Sequence, residues 1–174
     1  MSVTLRRAAA ADVDFLAALV GHEEVAPFLA AVRPAGRDGI AALVERSERE
    51  PDAFGLFVIE VDGEPAGTVE FELVNRRSAI ANVGGLAVHP RFRGKGVATA
   101  AARALQRHLL LERGLHRLQL EIYAFNGRAL AHAERAGYVR EGIRRQAYRR
   151  RGTWVDGVLF GLVREDLAGE ESDP

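Results

Sequence analysis

Residues 86–99 read LAVHPRFRGKGVAT: an apolar strand end, a proline, then three cations threaded through two glycines. Arg91, Arg93 and Lys95 alternate with Phe92, Gly94 and Gly96, and the run enters the small residues Val97, Ala98 and Thr99. Lys95 is the only lysine in the chain. A helix start leaves several backbone N–H groups without partners and carries partial positive charge, and glycine lets such backbone approach an anion. The amides from about Arg93 to Ala98, with the three cations, are therefore candidates for holding a phosphate. Two familiar phosphate loops do not fit. A P-loop needs G-x-x-x-x-G-K-[ST], but Lys95 is followed by Gly96 and His89 stands five before Gly94. A dinucleotide fingerprint needs G-x-G-x-x-G/A, and Thr99 occupies its third place.

On either side of this turn the pattern is that of a βαβ unit. A strand over 79–89 leads in, a long helix runs from about Gly94 to Arg113 with Gly114 as its stop, and a strand over 117–125 follows. Such a connection makes the two strands parallel. Upstream, an opening strand (3–8) precedes a helix beginning near Asp12 and a second helix that ends before Pro51. Between those helices lies a helix-turn stretch broken at Pro27 and Pro34. Two strands then join at Asp62-Gly63, a strong hairpin signal, and residues 75–78 turn into the βαβ unit. Downstream, a short helix over 126–137 closes at Gly137, and a final hairpin turns near Gly152. The expectation is one α/β domain over 1–174: a mixed, mostly antiparallel sheet with one parallel βαβ unit and helices on both faces.

Composition narrows the classes. With 174 residues, 48% hydrophobic and 28% charged, the chain reads as an ordinary soluble globular domain. It has no cysteine, which removes disulfides, thiolate nucleophiles and thiolate metal sites. The N-terminus shows no apolar signal core and no apolar stretch reaches spanning length, so a cytoplasmic, membrane-free setting is expected. The zero net charge hides two halves: 8 arginines against 14 carboxylates in 1–90, and 16 cations against 10 carboxylates in 91–174. That asymmetry fits an anionic ligand on the C-terminal half, or a solvated basic face; both stay open.

The run Arg91-Phe-Arg-Gly94-Lys-Gly96, preceded by LAVHP, resembles the acetyl-CoA loop of the GNAT superfamily of N-acetyltransferases. The segment NGRALAHAERAGYVREG from Asn126 resembles that superfamily's Asn-initiated helix and following turn, and the last hairpin resembles the ribosomal-protein alanine acetyltransferase-like (RimJ/RimL-type) branch. The resemblance implies the GNAT acyl-CoA N-acyltransferase fold, its parallel strands splayed at the cofactor site, with acetyl-CoA as donor and no metal. It implies that the backbone of Leu86, Ala87 and Val88 pairs with pantetheine like an added strand. It further implies that Arg91, Arg93, Gly94, Lys95, Gly96, Val97, Ala98 and Thr99 hold the pyrophosphate and that Asn126 touches the cofactor arm. Gly84-Gly85 suits a departure of the first strand from its ladder.

Acetyl transfer to an amine needs a neutral nitrogen, and an alkylamine with a pKa of about 10 is mostly protonated at neutral pH. A base, an oxyanion donor and an acid for the leaving thiolate are therefore required. A backbone N–H near Leu86–Val88 can serve the oxyanion. Glu121 matches a glutamate proposed as base in related protein-N-terminal acetyltransferases; it can equally be an arginine's structural partner. Many members carry the acid as a tyrosine seven residues after the Asn, but that position is Ala133, so the acid is unassigned. Tyr123 and Tyr148 are packing residues or substitutes, Glu70 and Glu72 stay open as bases, and Asn82 can at most position a water. No spacing suggests a metal, and no Ser-His pair suggests a covalent route. The acceptor is a protein N-terminus or a small-molecule amine, and the acidic Glu23-Glu24 would suit a cationic one. A catalytically weak acyl-CoA-binding module and a succinyl-type acyltransferase are the alternatives. The branch suggests a homodimer, and nucleic acid is not the expected partner. The arginine hairpin 143–154 forms a wall of the acceptor groove or simply discourages edge pairing.

Overall fold

The Asp62-Gly63 turn closes its hairpin with both residues left-handed, at φ 51° and 83°. That is the conformation a two-residue turn of this twist demands. The computed structural model describes residues 1–29 and 36–170. In chain order these form β1 (Val3–Arg7), α1 (Val13–Gly21), α2 (Arg37–Arg49), β2 (Phe54–Val61) and β3 (Glu64–Asn75). There follow β4 (Ile80–Val88), α3 (Val97–Gln106), β5 (Arg117–Tyr123), α4 (Gly127–Arg135), β6 (Val139–Arg150), β7 (Thr153–Val163) and α5 (Arg164–Glu170). Strand order through the sheet is β1-β2-β3-β4-β5-β7-β6. The β4–β5 pair is parallel, in register over Ile80–Asn82 with Arg117–Gln119, while β1–β2, β2–β3, β5–β7 and β6–β7 are antiparallel. The expected mixed sheet with one parallel βαβ unit is therefore present.

The chain divides into two compact units, Met1–Leu73 with Val83–Leu105 and Val74–Asn82 with Gln106–Pro174. In the first, β2 is buried on both faces, and α1 and α2 cover the face that carries Phe54, Leu56 and Val58. Val13 and Leu16 of α1 and Ile40 and Val44 of α2 repeat at helical spacing and bury against Phe54, Leu56 and Val58. Ser47, wholly buried, is satisfied by Arg7 Nη1 at 2.7 Å and by the Leu56 N–H at 3.0 Å. Asp12 precedes α1 as expected, but its carboxylate is taken up by Arg6, at 2.6 and 2.8 Å, and by the Ala9 N–H. Of the stretch read as broken at two prolines, Ala26–Phe28 forms a 3₁₀ turn containing Pro27; Pro34 lies outside the described residues.

In the second unit β7 lies between β5 and β6. The C-terminal part of the long helix is wound as a π-helical turn over Arg107–Glu112 and stops at Gly114, φ 71°. Its start is later than the sequence suggested: Gly94 and Gly96 belong to the turn, and α3 begins at Val97. The last hairpin turns at Arg151-Gly152, φ 49° and 81°. Helix α5 was not expected; Asp166 starts it by accepting from the Val163 N–H at 2.9 Å.

Candidate functional site: a glycine turn and a strand carboxylate

The phosphate candidate is built in the first unit. β4 ends at Val88, and the His89 N–H continues the pairing to Ala66 O at 2.8 Å. Pro90–Phe92 makes a 3₁₀ turn in which His89 Nδ1 accepts from the Arg91 N–H at 3.3 Å. Phe92 and Val97 are buried and pin the turn at either end. Between them Gly94 and Gly96 both take φ 75°, a left-handed conformation that side-chain-bearing residues seldom adopt. Beyond the glycine itself and its two chain neighbours, nothing lies within 4 Å of where a Cβ would stand on either residue, so the space above them is open. Alternating left-handed residues bend successive amides toward one side, and the first N–H groups of α3 have no intrahelical partner. The result is a helix N-terminus preceded by two left-handed glycines with clear space over them, the setting in which backbone amides can meet an anion.

The cations of this turn are less free than the sequence suggested. Arg91 pairs with Glu64 on the β2–β3 hairpin and lies 4.7 Å from the centre of the Phe92 ring. Arg93 turns back: Nε donates to Val88 O at 3.1 Å and Nη1 to Glu24 Oε2 at 2.8 Å. Among the described residues Lys95 alone of the three makes no ion pair or hydrogen bond. Leu86, Ala87 and Val88 form the end of β4, with Gly85 left-handed at φ 60° just before them. Gly67 of β3 lets this end lie close, since a Cβ there would collide with Ala87 O and sit 3.3 Å from Val88 Cα.

The second unit places Glu121 in a specific recess. Tyr123 of β5, Gly157 of β7 and Arg144 of β6 stand in one row across three strands. Glu121, two residues before Tyr123, shares that face. Gly157 has no side chain, and the Glu121 carboxylate lies over it; a Cβ there would be 2.8 Å from Glu121 Cδ. From β6, Arg144 Nη1 reaches Glu121 Oε2 at 3.2 Å. Tyr148 approaches the same carboxylate more loosely. Burial, then the hydrogen bond and negative charge of Glu121, hold its phenol above the ordinary pKa. Glu121 Oε1 is shielded from solvent and has no donor in normal hydrogen-bond geometry among the described residues. Tyr123 stacks on Phe125 at 5.3 Å and meets Tyr148 edge-on at 5.2 Å. Asn126 caps α4, its Oδ1 accepting from the Ala129 N–H at 3.2 Å, and Ala133 is buried on that helix.

A model of the Acetyltransferase (GNAT) family matches residues 22–138 of this chain. The chain belongs to the Acetyltransferase (GNAT) family. Among curated relatives it is 29% identical over 118 residues to the SPbeta prophage-derived uncharacterized N-acetyltransferase YokL of Bacillus subtilis (strain 168). That match takes in 68% of this chain and 66% of YokL. It is 28% identical over 131 residues to the Probable N-acetyltransferase YjcK of the same organism, 75% of this chain and 72% of that one. The GNAT fold is shared with the crystal structure of spermidine N-acetyltransferase from Vibrio cholerae in complex with CoA and spermine. The TM-score is 0.86 at 20% identity, covering 95% of this chain and 98% of the other. A SpeG chimera of that enzyme with hSSAT gives a TM-score of 0.85 at 21% identity, covering 96% and 99%. The GNAT fold of this chain is a mixed sheet with helices on both sides, as the sequence indicated.

The family match carries the superfamily; the alanine acetyltransferase-like branch, read from the last hairpin, finds no support in these relatives, and the two solved structures named above are spermidine N-acetyltransferases. Other candidates have structural partners: Glu72 pairs with Arg46 at 2.6 Å, and Asn82 accepts from Gln119 Nε2 at 2.8 Å across the parallel pair. Among the described residues no group of three or more His, Asp or Glu side chains is arranged to hold a metal, and no helix is long and apolar enough to cross a membrane. Sequence reading missed Gly157 as the floor under Glu121. The glycine stands opposite Tyr123 only once the register of β5 and β7 is known.

Proposed function

We propose that this chain moves the acetyl group of acetyl-CoA to the primary amine of a small cationic molecule. The observation that carries this reading is the pair of left-handed glycines, Gly94 and Gly96, opening onto clear space at the start of α3. In it the amides of Gly94 to Thr99 hold the donor's pyrophosphate with Lys95 beside them, the backbone of Leu86 to Val88 takes the pantetheine amides, and Asn126 contacts the cofactor arm. The amine nitrogen attacks the thioester carbonyl carbon. A C–N bond forms as the C–S bond breaks, the nitrogen's proton passes to a base, and the departing thiolate takes up a proton. Glu121 is the base in this reading, directly or through a water. Its shielded Oε1 supports that, since a buried acceptor left without a donor is uncommon and functional sites are where such groups concentrate.

A small polycationic acceptor is favoured over a protein N-terminus because spermidine N-acetyltransferases share the fold and one of them was solved with CoA and spermine. The acidic balance of residues 1–90 points the same way. The reading takes the whole chain as one cytoplasmic acetyltransferase domain, with acetyl rather than succinyl as its group and a homodimer as its assembly. A second reading, acyl-CoA binding without turnover, is favoured by Ala133 standing where many members carry the acid. The test is release of CoA thiol from acetyl-CoA in the presence of spermidine, of an alanine-terminated peptide and of neither. Turnover with spermidine supports the proposal; turnover with the peptide alone replaces its acceptor; tight donor binding with no turnover on any amine favours the second reading.

A further inference from the structure

The glycine turn and the segment after α1 are tied through one guanidinium. Arg93 stands immediately before Gly94, and three of its donors are engaged: Nε on Val88 O, Nη1 on Glu24 Oε2 and Nη2 on Glu24 O at 3.2 Å. Glu24 lies between α1 and the Ala26–Phe28 turn, and its N–H donates to His22 Nδ1 at 3.1 Å. The His22 ring in turn meets His89 edge-on, with centres 5.6 Å apart. All of these residues belong to the first unit.

Carboxylate and phosphate ask the same thing of arginine: two parallel donors from a planar fork. Only one donor of Arg93, Nη1, is on the Glu24 carboxylate, whose side chain is 56% exposed, so this ion pair is weak and open to exchange while Nη2 and Nε rest on backbone carbonyls. An anion seated on the Gly94–Gly96 amides brings more charge to the residue next door than Glu24 offers. We propose that Glu24 and the donor's phosphates compete for Arg93, so that filling the turn loosens the segment from His22 to Phe28. This rests on the donor site assigned above. Coupling of this kind is reciprocal. A cation that occupies Glu24 frees Arg93 and strengthens donor binding by the same factor. Glu24 is thus a positioning residue, acting on the donor through Arg93 without touching it.

The test uses CoA as the probe, titrated calorimetrically at low salt into the wild type, Glu24→Gln, Arg93→Gln and the double variant. Glu24 is exposed, so its replacement leaves the fold intact, which thermal melting checks. The expected result is a CoA dissociation constant about two- to five-fold lower in Glu24→Gln, the range of an exposed ion pair, with no such gain in the Arg93→Gln background. Hydrogen exchange supplies the second readout. CoA should speed exchange at Val25, Ala26 and Phe28, whose N–H groups bond to His22 O and Val25 O, in the wild type and not in Glu24→Gln. Equal tightening in both backgrounds means only that a negative field was removed, and overturns the competition. Weaker CoA binding in Glu24→Gln, or exchange in this segment untouched by CoA, overturns it as well. A wild type that binds no CoA removes the donor site itself, and the competition with it.

Discussion

Gly157 is the floor on which the Glu121 carboxylate rests: a methyl group on β7 at this point and the carboxylate cannot share the space. Because Arg144 approaches from the strand beyond, this one absent side chain lets two charged groups meet across β7. Gly157→Ala is expected to push Glu121 out of its recess and lower kcat about 10–100-fold, a cost typical of misplacing a reacting group by an ångström. The KM for the donor should stay close to that of the wild type, and stability should fall by about 1–3 kcal/mol from the overpacking. Steady-state kinetics alongside thermal melting separate the two effects. An unchanged kcat would mean that the position of Glu121 is immaterial to the chemistry.

Removing the charge while keeping the shape isolates the base. Glu121→Gln is expected to lower kcat/KM about 10²–10⁴-fold, the usual contribution of general base catalysis. Should Glu121 serve only as the partner of Arg144, the variant would lose stability and keep its kcat.

Much of this fold is written locally. The Asp62-Gly63 hairpin depends on residues whose conformational needs are visible within a few positions and formed as read; the glycines of the 94–96 turn are equally visible, but the helix starts after them, at Val97. Ion pairs are different. Arg93 and Glu24 are 69 residues apart, and nothing in either neighbourhood names the other. Three cations in one loop looked alike in sequence, yet two are committed to carboxylates brought in by the segment after α1 and by the β2–β3 hairpin. The register shifts in β6 were also hidden. Between Arg144 and Tyr148 the strand gains residues, with Gln146 at φ 50° and its N–H held by Asp156 Oδ1 at 2.7 Å. A run so rich in arginine has no apolar alternation to slip against, so the bulge left no mark on the pattern.

Acid stability should report on Asp12. Its hydrogen bonds from Arg6, aided by the Ala9 N–H, hold its carboxyl below the ordinary value against the cost of burial. A depressed folded pKa adds stability above the unfolded carboxyl pKa, and that contribution disappears as pH falls through the folded value. Asp12→Asn is therefore expected to cost about 1–3 kcal/mol at pH 7, the smaller figures reflecting the partly exposed Arg6. The gap between the variant and the wild type should close below about pH 4, where the free carboxyl of the unfolded chain begins to protonate. Urea titrations at pH 7, 5 and 3 follow it; a gap that stays constant would mean that packing, not charge, makes Asp12 important.

Gly67 makes room for the strand end that the donor would pair with. Gly67→Val should displace Ala87 and Val88, since even the first added carbon meets Ala87 O and lies 3.1 Å from Ile59 Cδ1. Loss of about 1–3 kcal/mol of stability is expected, with acetyl-CoA binding weakened at least ten-fold in protein that still folds. Binding that survives such a displacement would remove Leu86–Val88 from the donor site.

The central claim is that the open turn at Gly94 and Gly96 holds the donor's phosphates, and calorimetric titration of acetyl-CoA into the wild type and Gly96→Glu tests it most directly. A left-handed φ costs a side-chain-bearing residue about 1–2 kcal/mol, and the new carboxylate would stand over the amides the pyrophosphate needs. Circular dichroism checks that the variant folds. The expected outcome is saturable acetyl-CoA binding to the wild type and none to folded Gly96→Glu. Equal binding by both proteins would place the donor elsewhere and contradict the site described above.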